Sequence, residues 1–393
     1  MAGTAPTPVN YSATVDEVTT QQFMRGEWDD TKQQRALLER LDMKGNIDEN
    51  GEGTYAEWRS RVGEFDDGYR GDLVQREFSR KNHRITATLP WSFLEIPGVL
   101  SDRDIALNQG SSAIVKLKET MLTEISQDFK KKVNKRLLTE NAGATATMGI
   151  PAFSGSDAPI HGFPTLFNAG GTLYARGTTT ALEITDKYVS SVGNYAGHSI
   201  TRGGLTGVDN ALADGWSPYL VNTGYDWNGA GANNWAGNCV EIANDMMTGQ
   251  SHGDTEGEFP DLGIMTKSMF TDFKSVLLTK QRIIVQDAAS SPDVGLMPRK
   301  HIPFEGATFV YDADQTADNF YLLNTSKMQL KCVPMGVNGN QTGEIGGSAA
   351  ELFGVTQQHS IEQGGHLVVV TLATQLCVDP RYQGAAYTWD ASA

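Results

Sequence analysis

The stretch SSAIVKLKETMLTEISQDFKKKVNKRLLTE, from Ser111 to Glu140, contains no Gly and no Pro in a chain that has 42 glycines. Its apolar residues recur at intervals of three or four positions, which places them on one face of an α-helix. They are Ile114, Leu117, Met121, Ile125, Phe129, Val133 and Leu137. Basic residues crowd its last turns, where the helix dipole favours cations. We therefore predict one helix over 111–140, about 45 Å long at ~1.5 Å per residue.

The length and the charge of the chain limit the kinds of protein that it can be. At 393 residues it exceeds a single simple core, so we expect two or three substructures. The net charge of −15 disfavours a nucleic-acid reader with a broad basic face. The predicted helix is locally basic, with seven Lys and Arg against four Asp and Glu. Any contact with polyanions is therefore expected to be weak and local to that helix.

Three cysteines, Cys239, Cys332 and Cys377, lie far apart and lack the spacing of metal ligands. We expect them to be reduced, buried thiols in a protein made in the cytosol. No apolar run approaches ~18 residues, so we predict no membrane span.

The N-terminal region predicts little regular structure. Residues 1–20 are small and polar, lack the apolar core of a signal peptide, and are expected to be extended or disordered in the isolated chain. A short helix is predicted over Asp30 to Leu41, with Leu37, Leu38 and Leu41 on one side. The stretch DMKGNIDENGEGTYAEW, from 42 to 58, is rich in Gly and acids and predicts a loop.

That predicted loop contains the best match to a calcium site. Positions 1, 3, 5, 6 and 12 of an EF-hand loop are matched by Asn46, Asp48, Asn50, Gly51 and Glu57. The uncharged first position and Gly53 at position 8 favour an ordinary acidic turn, and there is no second copy. The acidic turn of Asp312, Asp314 and Asp318 lacks the glycine of a calcium loop, and His359 and His366 are not spaced as ligands. We assign no metal ligand.

The pattern between Arg61 and Pro97 is that of strands. The apolar side of the predicted strand comprises Ile85, Ala87, Leu89, Trp91, Phe93 and Ile96. Upstream, GEFDDGYRGDLVQREFSRKNH, from 63 to 83, is charged and contains turn signals. We predict a long hairpin with a polar tip. Because an isolated hairpin is only marginally stable in water, it must lie on another surface, as a lid in an enzyme or on a neighbour in an assembly.

The second half of the chain is predicted to be mixed α/β structure. We predict helices at 235–247 and 268–280, a buried strand at 260–266, strands at 304–314 and 319–332 joined by an acidic turn, and a long strand at 366–378. The face of the second helix is expected to comprise Met269, Phe273, Val276 and Leu277.

Two features of the Gly-rich region 195–257 could carry chemistry. Trp216, Trp227 and Trp235 could form a sugar-binding platform, although tryptophans that anchor irregular backbone are the favoured interpretation. GQSHG, from 249 to 253, matches GxSxG, but a helix-like stretch precedes Ser251 where a nucleophile elbow needs a strand. Phosphate-loop, HExxH and GxGxxG motifs do not occur. We assign no catalytic and no cofactor-binding residue.

Four passages, taken in order, carry a resemblance to a known family. They are SFLEIPGVLSDRDIALNQGSSAIVKLKETMLTEI (92–125), YAGHSITRGG with DGWSPYLVN (195–222), PDLGIMTKSMFTDFKSVLLTKQRIIV (260–285) and IPFEGATFVYDADQTADNFYLLNTSKMQLK (302–331). Together they resemble the major capsid protein of tailed bacteriophages, which has the Hong Kong 97 type of fold. The first passage resembles the connection from its extended loop to its spine helix, and the second resembles the start of its axial domain. The third resembles the strand–helix unit of that domain, and the fourth resembles its return strand.

The resemblance implies an α+β fold in five parts. They are an N-terminal arm over 1–60, an extended β-hairpin loop over 61–108, a peripheral domain over 109–189 with the spine helix at 111–140, an axial domain over 190–325, and return strands of the peripheral domain over 326–393. It implies a structural protein and not an enzyme, with no cofactor. Lys81 is the only lysine of the hairpin and has no partner motif, so no crosslink is carried over.

The partners implied by the resemblance are mainly further copies of the chain, arranged as hexamers and pentamers in an icosahedral shell around phage DNA. A separate scaffolding protein, a portal and a cement protein are further implied partners, and a membrane is not. The shell would belong to the virion, after synthesis in the bacterial cytoplasm. The net negative charge agrees with packaged double-stranded DNA that is enclosed but not gripped, since tight binding needs many Lys and Arg contacts to phosphate.

Two alternatives stay open at this point. An encapsulin-like compartment uses the same fold and would need a cargo enzyme. A carbohydrate-binding or hydrolytic protein would rest on the tryptophan-rich region and the GQSHG loop. Mass measurement separates the classes, because a shell protein forms megadalton particles and an enzyme forms a small oligomer.

Overall fold

The computed structural model describes most of the chain between residues 35 and 387. The described residues are 35–61, 84–101, 121, 124–125, 128–129, 131–138, 160–168, 173–175, 189–201, 216, 218–224, 234–251, 258–280, 301–315, 319–334, 354–360 and 365–387. The hairpin tip at 62–83, Trp227 and Asp318 lie outside them, as do residues 1–34 and the beginning and end of the predicted long helix.

The helices are α1 (Ala36–Met43), α2 (the helical residues 131–138), α3 (Phe163–Asn168), α4 (Trp235–Gln250) and α5 (Lys267–Lys280). The strands are β1 (Ile47–Asp48), β2 (Tyr55–Arg61), β3 (Arg84–Pro90), β4 (Ser92–Ser101), β5 (Leu173–Ala175), β6 (Val189–Tyr195), β7 (His198–Thr201), β8 (Tyr219–Asn222), β9 (Leu262–Met265), β10 (Ile302–Phe304), β11 (Ala307–Tyr311), β12 (Asn319–Leu323), β13 (Met328–Val333), β14 (Gly354–Ser360), β15 (Gly365–Val378) and β16 (Gly384–Tyr387).

The long strand β15 organises a five-stranded sheet. It pairs antiparallel with β4 along its first ten residues, from Gly365 to Thr374. On its other side it pairs with β14 and then with β13, and β1 adds parallel to β13. The prediction of a long strand at 366–378 is confirmed.

The apolar stripe of the predicted long helix packs on this sheet. Ile125, Phe129, Val133 and Leu137, which we call the spine stripe, are all buried and helical, as predicted. Gly98 of β4 faces the stripe so closely that a Cβ there would lie 2.5 Å from Ile125 Cδ1. Close packing of strand on helix therefore needs a residue without a side chain at this position.

A six-stranded sheet in the order β10-β11-β9-β12-β16-β8 forms the second layer. Alternate residues of each strand point to opposite faces, and both faces are buried. One face, which includes Ile264 and Tyr321, joins the core that contains the spine stripe. The other, which includes Met265 and Phe320, packs against α4 and α5.

Helices α4 and α5 confirm their predicted positions within a few residues. Asn234 caps α4 by accepting a hydrogen bond from the Gly237 N–H at 2.8 Å, which satisfies one free amide of the first turn. Met269, Phe273 and Leu277 of α5 are buried as predicted, and Val276 is half-buried. Strand β9 between the two helices is fully buried.

Several predictions about the N-terminal half are wrong. Arg35 is extended, so the first helix begins at Ala36 and not at Asp30, although its leucines are buried as expected. The segment 42–58 is not a loop throughout, because it contains β1 and the first residues of β2, which gain partners far along the chain. Phe93 is 53% exposed and does not continue the buried side. The intervening Trp91 is outside both strands, and in β4 the inward positions are Leu94, Ile96 and Gly98.

Strand order also differs from the order along the chain. β11 and β12 are joined by the predicted acidic turn but are not neighbours, because β9 lies between them. The last strand, β16, pairs with β12 and β8, so it belongs to the sheet built from residues 219–323. No helix in the described part of the chain is both long and apolar enough to cross a membrane.

Candidate assembly surfaces

Strands β2 and β3 form a two-stranded sheet of their own, which is the base of the predicted hairpin. Their antiparallel register runs from Tyr55 opposite Pro90 to Arg61 opposite Arg84, the last described pair before the tip. Ala56 and Ala87 point inward and are buried, whereas alternate residues are exposed. The hairpin is therefore amphipathic at its base and stands at the surface of the subunit.

The base of the hairpin is tied to the five-stranded sheet by side-chain hydrogen bonds. Lys331 Nζ of β13 donates to the Glu57 carbonyl at 2.7 Å, and Gln375 Nε2 of β15 donates to the Pro90 carbonyl at 2.8 Å. Trp91 Nε1, between β3 and β4, donates to the Gly53 carbonyl at 2.9 Å. The bonds from Lys331 and Gln375 attach both strands of the hairpin base to the sheet.

Three apolar residues are exposed on the outer face of β4, where the charged Glu95 lies between Phe93 and Pro97. Phe93 is 53% exposed and Val99 is 64% exposed, with exposed Pro97 between them on the same face of the strand. Tyr55, at the start of β2, is 56% exposed. Uncovered apolar side chains that share one face are typical of a contact surface.

Helix α1 is held against the body by one carboxylate. Asp261 Oδ2 accepts hydrogen bonds from Arg40 Nε at 2.9 Å, Lys44 Nζ at 2.8 Å and Thr325 Oγ1 at 2.6 Å. Its Oδ1 accepts from the Thr325 N–H at 2.7 Å. Burial acts to raise the pKa of Asp261, but the hydrogen bonds from Lys44 and Thr325 outweigh it and hold the pKa below its usual value.

A second polar cluster joins α2 to the end of β11. Asn134 is fully buried, and its Nδ2 lies 3.1 Å from both carboxylate oxygens of Asp312 and 3.0 Å from Asp314 Oδ2. Arg35 forms an ion pair with Asp314. In the predicted acidic turn, both carboxylates thus accept hydrogen bonds from the Asn134 amide, and Asp314 is also paired with the Arg35 guanidinium.

The residues considered for calcium do not form one loop. Asn46 Nδ2 donates to the Thr325 carbonyl at 2.7 Å, Asp48 accepts from the Asn50 N–H at 3.0 Å, and Glu57 lies within β2. Among the described residues, no three His, Cys, Asp or Glu side chains cluster as metal ligands would. His359 and His366 face each other as backbone partners of the β14–β15 pair.

Ser251, Trp216 and Trp235 each make a hydrogen bond to a backbone carbonyl of the same chain. Ser251 follows α4 directly and its Oγ donates to the Met247 carbonyl at 2.6 Å, so a helix precedes it as predicted. Trp216 and Trp235 are buried, in different cores, and share no exposed platform. The prediction that these two tryptophans anchor backbone is confirmed, because each indole N–H donates to a carbonyl.

All three cysteines are free and buried, as predicted. Burial raises the pKa of Cys239 and of Cys377 to about 12. Both are therefore protonated at neutral pH, and a protonated thiol is a poor nucleophile and a poor metal ligand.

No protein-family profile and no curated protein matches the sequence. The structure, however, is similar to a chain of the cyanophage A-1(L) capsid asymmetric unit, with a TM-score of 0.50 and 16% identity over 88% of this chain and 92% of that chain. The chain has the Hong Kong 97-type capsid fold.

Two further structures are similar at lower scores. The capsid of the native GTA particle has a TM-score of 0.49 and 12% identity, over 89% of this chain and 91% of that chain. The holo-SrpI encapsulin complex from Synechococcus elongatus PCC 7942 has a TM-score of 0.43 and 10% identity, over 90% of this chain and 89% of that chain.

The sequence did not predict the contacts that attach α1 and the β2–β3 hairpin to the rest of the chain. Asp261 lies in a stretch predicted only as a buried strand, and its partner Arg40 is 221 positions away. The contact between the β6–β7 turn and β3, in which the Thr88 N–H donates to the Ala196 carbonyl at 3.3 Å, was also missed. Both depend on the three-dimensional arrangement, and no local pattern indicates them.

Proposed function

We propose that the protein is the major capsid protein of a tailed phage. It assembles as hexamers and pentamers into the icosahedral shell that encloses double-stranded DNA. The observation that carries the proposal is the fold similarity, which covers 88% of this chain and 92% of a cyanophage capsid chain. Since little of either chain lies outside the shared fold, the subunit is built for shell formation over nearly its whole length.

The hairpin supports this proposal. Both strands of its base are hydrogen-bonded to the five-stranded sheet, and the segment 62–83 connects the last described pair, Arg61 and Arg84. We assign that segment to a contact with the adjacent subunit. The open apolar residues Phe93 and Val99 fit the same role, because a subunit of a closed shell keeps its contact surfaces open until it assembles.

We propose the division into an N-terminal arm (1–60), an extended loop (61–108), a peripheral domain (109–189 and 326–393) and an axial domain (190–325). Two segments are reassigned. Residues 55–60 go with the extended loop, because β2 pairs with β3 along its whole length. Residues 384–387 go with the axial domain, because β16 pairs with β8 and β12 on both of its edges.

The proposed partners follow from the shell. The chain carries a net charge of −15, which suits a shell that encloses packaged double-stranded DNA without binding it tightly. A separate scaffolding protein, a portal and a cement protein are the further partners that we propose. The assembled protein belongs to the virion, and we propose synthesis in the cytoplasm of the bacterial host.

Mass and shape of the purified full chain test the proposal. Light scattering and negative-stain imaging are expected to show closed particles of megadalton mass with five-fold and six-fold capsomers. Particles isolated from infected cells are expected to protect double-stranded DNA from nuclease. A small oligomer under all assembly conditions would contradict the shell, and particles filled with an enzyme instead of DNA would favour the encapsulin-like alternative.

A further inference from the structure

The turn between β6 and β7, Tyr195–His198, contacts the free edge of β3. Successive residues of an antiparallel strand direct their N–H and C=O groups to opposite sides, so Thr86 and Thr88 present theirs to the same edge. At that edge the Thr88 N–H donates to the Ala196 carbonyl at 3.3 Å. His198 Nε2 lies 2.8 Å from the Thr86 carbonyl oxygen, to which it donates.

Aromatic rings join the same turn to β2, the other strand of the hairpin. The Trp58 ring lies 6.3 Å from the rings of both Tyr195 and Trp216. His198 meets Trp216 edge to face, with centroids 5.7 Å apart. Trp58 and Ala87 are cross-strand partners, so the turn holds the hairpin on both strands at one position.

The backbone of the turn is specialised for this contact. Ala196 has φ 51° and Gly197 has φ 84°, the left-handed conformations of a two-residue hairpin turn. An Ala is less favourable than Gly or Asn in the first of these positions. Ala196 is held in this conformation because its side chain is buried in the core that contains the spine stripe. Its carbonyl also accepts a hydrogen bond from the Thr88 N–H.

We propose that the Tyr195–His198 turn is a clamp that sets the direction in which the hairpin leaves the subunit, and that His198 is the positioning residue that closes it. This inference rests on the proposed role of the hairpin in shell assembly. The pairs beyond the clamp are Ser60–Ile85 and Arg61–Arg84, followed by the segment 62–83. A strand of ~10 residues spans about 34 Å, so a tilt of ~10° at its base displaces its far end by about 6 Å.

Such a displacement is comparable to the diameter of a side chain and would misplace the contact on the adjacent subunit. His198 therefore acts on assembly and contributes little to folding, because its hydrogen bond to the Thr86 carbonyl lies at the surface. A side chain that donates from a similar position is expected to substitute for it. Gln has such a donor and Ala has none.

The first experiment measures hydrogen–deuterium exchange at residues 84–90 in the unassembled subunit. In His198→Ala, we expect the Thr88 amide to exchange about tenfold faster, the equivalent of one lost hydrogen bond. His198→Gln is expected to restore slow exchange. Thr271→Ala, which removes a similar exposed side-chain bond to the Lys267 carbonyl in α5, serves as the matched control and is expected to match the wild type. Unchanged exchange in His198→Ala would overturn the clamp.

The second experiment compares assembly of the same four proteins by sedimentation and imaging. We expect His198→Ala to lose about tenfold in closed shells while its melting temperature stays close to that of the wild type, and His198→Gln to recover them. Normal shells from His198→Ala would overturn the positioning role. Failure of His198→Gln to recover shells, despite slow Thr88 exchange, would overturn it as well. Absence of shells from the wild-type chain would instead overturn the proposed function, while the exchange result would still decide whether the clamp exists.

Discussion

Gly162 lies directly against the backbone of Leu137, so that a Cβ at Gly162 would come within 2.5 Å of the Leu137 carbonyl oxygen and 2.8 Å of its Cα. The short helix α3, which follows Gly162, is thereby placed at the C-terminal end of α2. Phe163 and Phe167 of α3 then reach the ring of Tyr321 in the six-stranded sheet. This close approach links α2 to the six-stranded sheet.

Gly162→Ala is expected to destabilise the subunit by about 1–3 kcal/mol, because backbone atoms of α2 must shift to admit the methyl group. Gly45→Ala is the control: it makes the same change where nothing lies within 4 Å, at a φ of +67°. The only expected loss of stability in Gly45→Ala is the cost of holding an Ala in the left-handed backbone conformation, about 1 kcal/mol. Denaturant unfolding measures both. A smaller loss at Gly162 than at Gly45 would contradict the close packing.

The spine stripe gives a second prediction. Phe129 is 2% exposed, so Phe129→Asp would place an unpaired charge in the core and destabilise the subunit by several kcal/mol. Lys131→Asp introduces the same carboxylate at an exposed position of the same helix and is expected to remain soluble. Soluble yield and melting temperature compare them. Normal assembly of Phe129→Asp would show that the stripe is not core.

The spine helix, α4, α5 and β15 could be predicted from the sequence because each carries a periodic apolar pattern long enough to identify its own buried face. Phe93 shows where this reasoning fails. The alternation was extended through Trp91, yet Trp91 breaks the strand, and the inward side restarts at Leu94. The order of strands in the sheets could not be predicted, since β9 separates β11 from β12 through pairings that no local pattern specifies.

The clamp and the carboxylate of Asp261 could not be predicted for a related reason. Their partners lie far apart in the sequence, as Thr88 and Ala196 or Arg40 and Asp261 do, and no local pattern pairs them. The calcium-like pattern at 46–57 is the converse case. Its spacing matched a motif, but pairing of Glu57 with Thr88 in the hairpin decided its structure instead.

Acid is expected to weaken the subunit through His161. Burial lowers its pKa from 6.5 to about 4, so the folded state holds the neutral ring. Between pH 6.5 and 4 the unfolded chain binds more protons at His161 than the folded chain does. The contribution of His161 to the unfolding free energy is therefore fully present above pH 6.5 and is lost as the pH drops towards 4. The loss amounts to up to about 3 kcal/mol.

His161→Gln keeps the backbone N–H bond to Gln375 Oε1 but cannot titrate. Its unfolding free energy is expected to fall less steeply than that of the wild type between pH 6.5 and 4. Parallel curves for the two proteins would show that His161 is not the group responsible.

The attachment of α1 is tested at Asp261. Asp261→Asn removes the charge that pairs with Arg40 and Lys44, and we expect a loss of about 2–4 kcal/mol because both cations keep their partly buried positions. Because the pKa of Asp261 is lowered on folding, its stabilising effect is present above the unfolded value of 3.8 and disappears as the pH falls below it. Glu95→Gln, at an exposed position of β4, is the control. Equal stability of the two variants at pH 7 would contradict the role of Asp261.

The last prediction separates folding from assembly. Arg61 and Arg84 are directly opposite each other, so residues 62–83 can be replaced by Asn-Gly, the two-residue turn that suits such a hairpin. The clamp and the bonds from Lys331 and Gln375 all lie on the retained base. We therefore expect a folded, soluble subunit whose melting temperature changes little.

The shortened subunit is nevertheless expected to form no shells. Specific interfaces bury on the order of 1,600 Å² in total, and a projecting segment that is repeated around every capsomer would supply much of that area. Circular dichroism reports the fold, and sedimentation reports the assembly. Normal particles would mean that the segment 62–83 makes no essential contact between subunits. An unfolded subunit would mean that this segment belongs to the core of its own chain, and the hairpin would then stabilise the fold before it serves the shell.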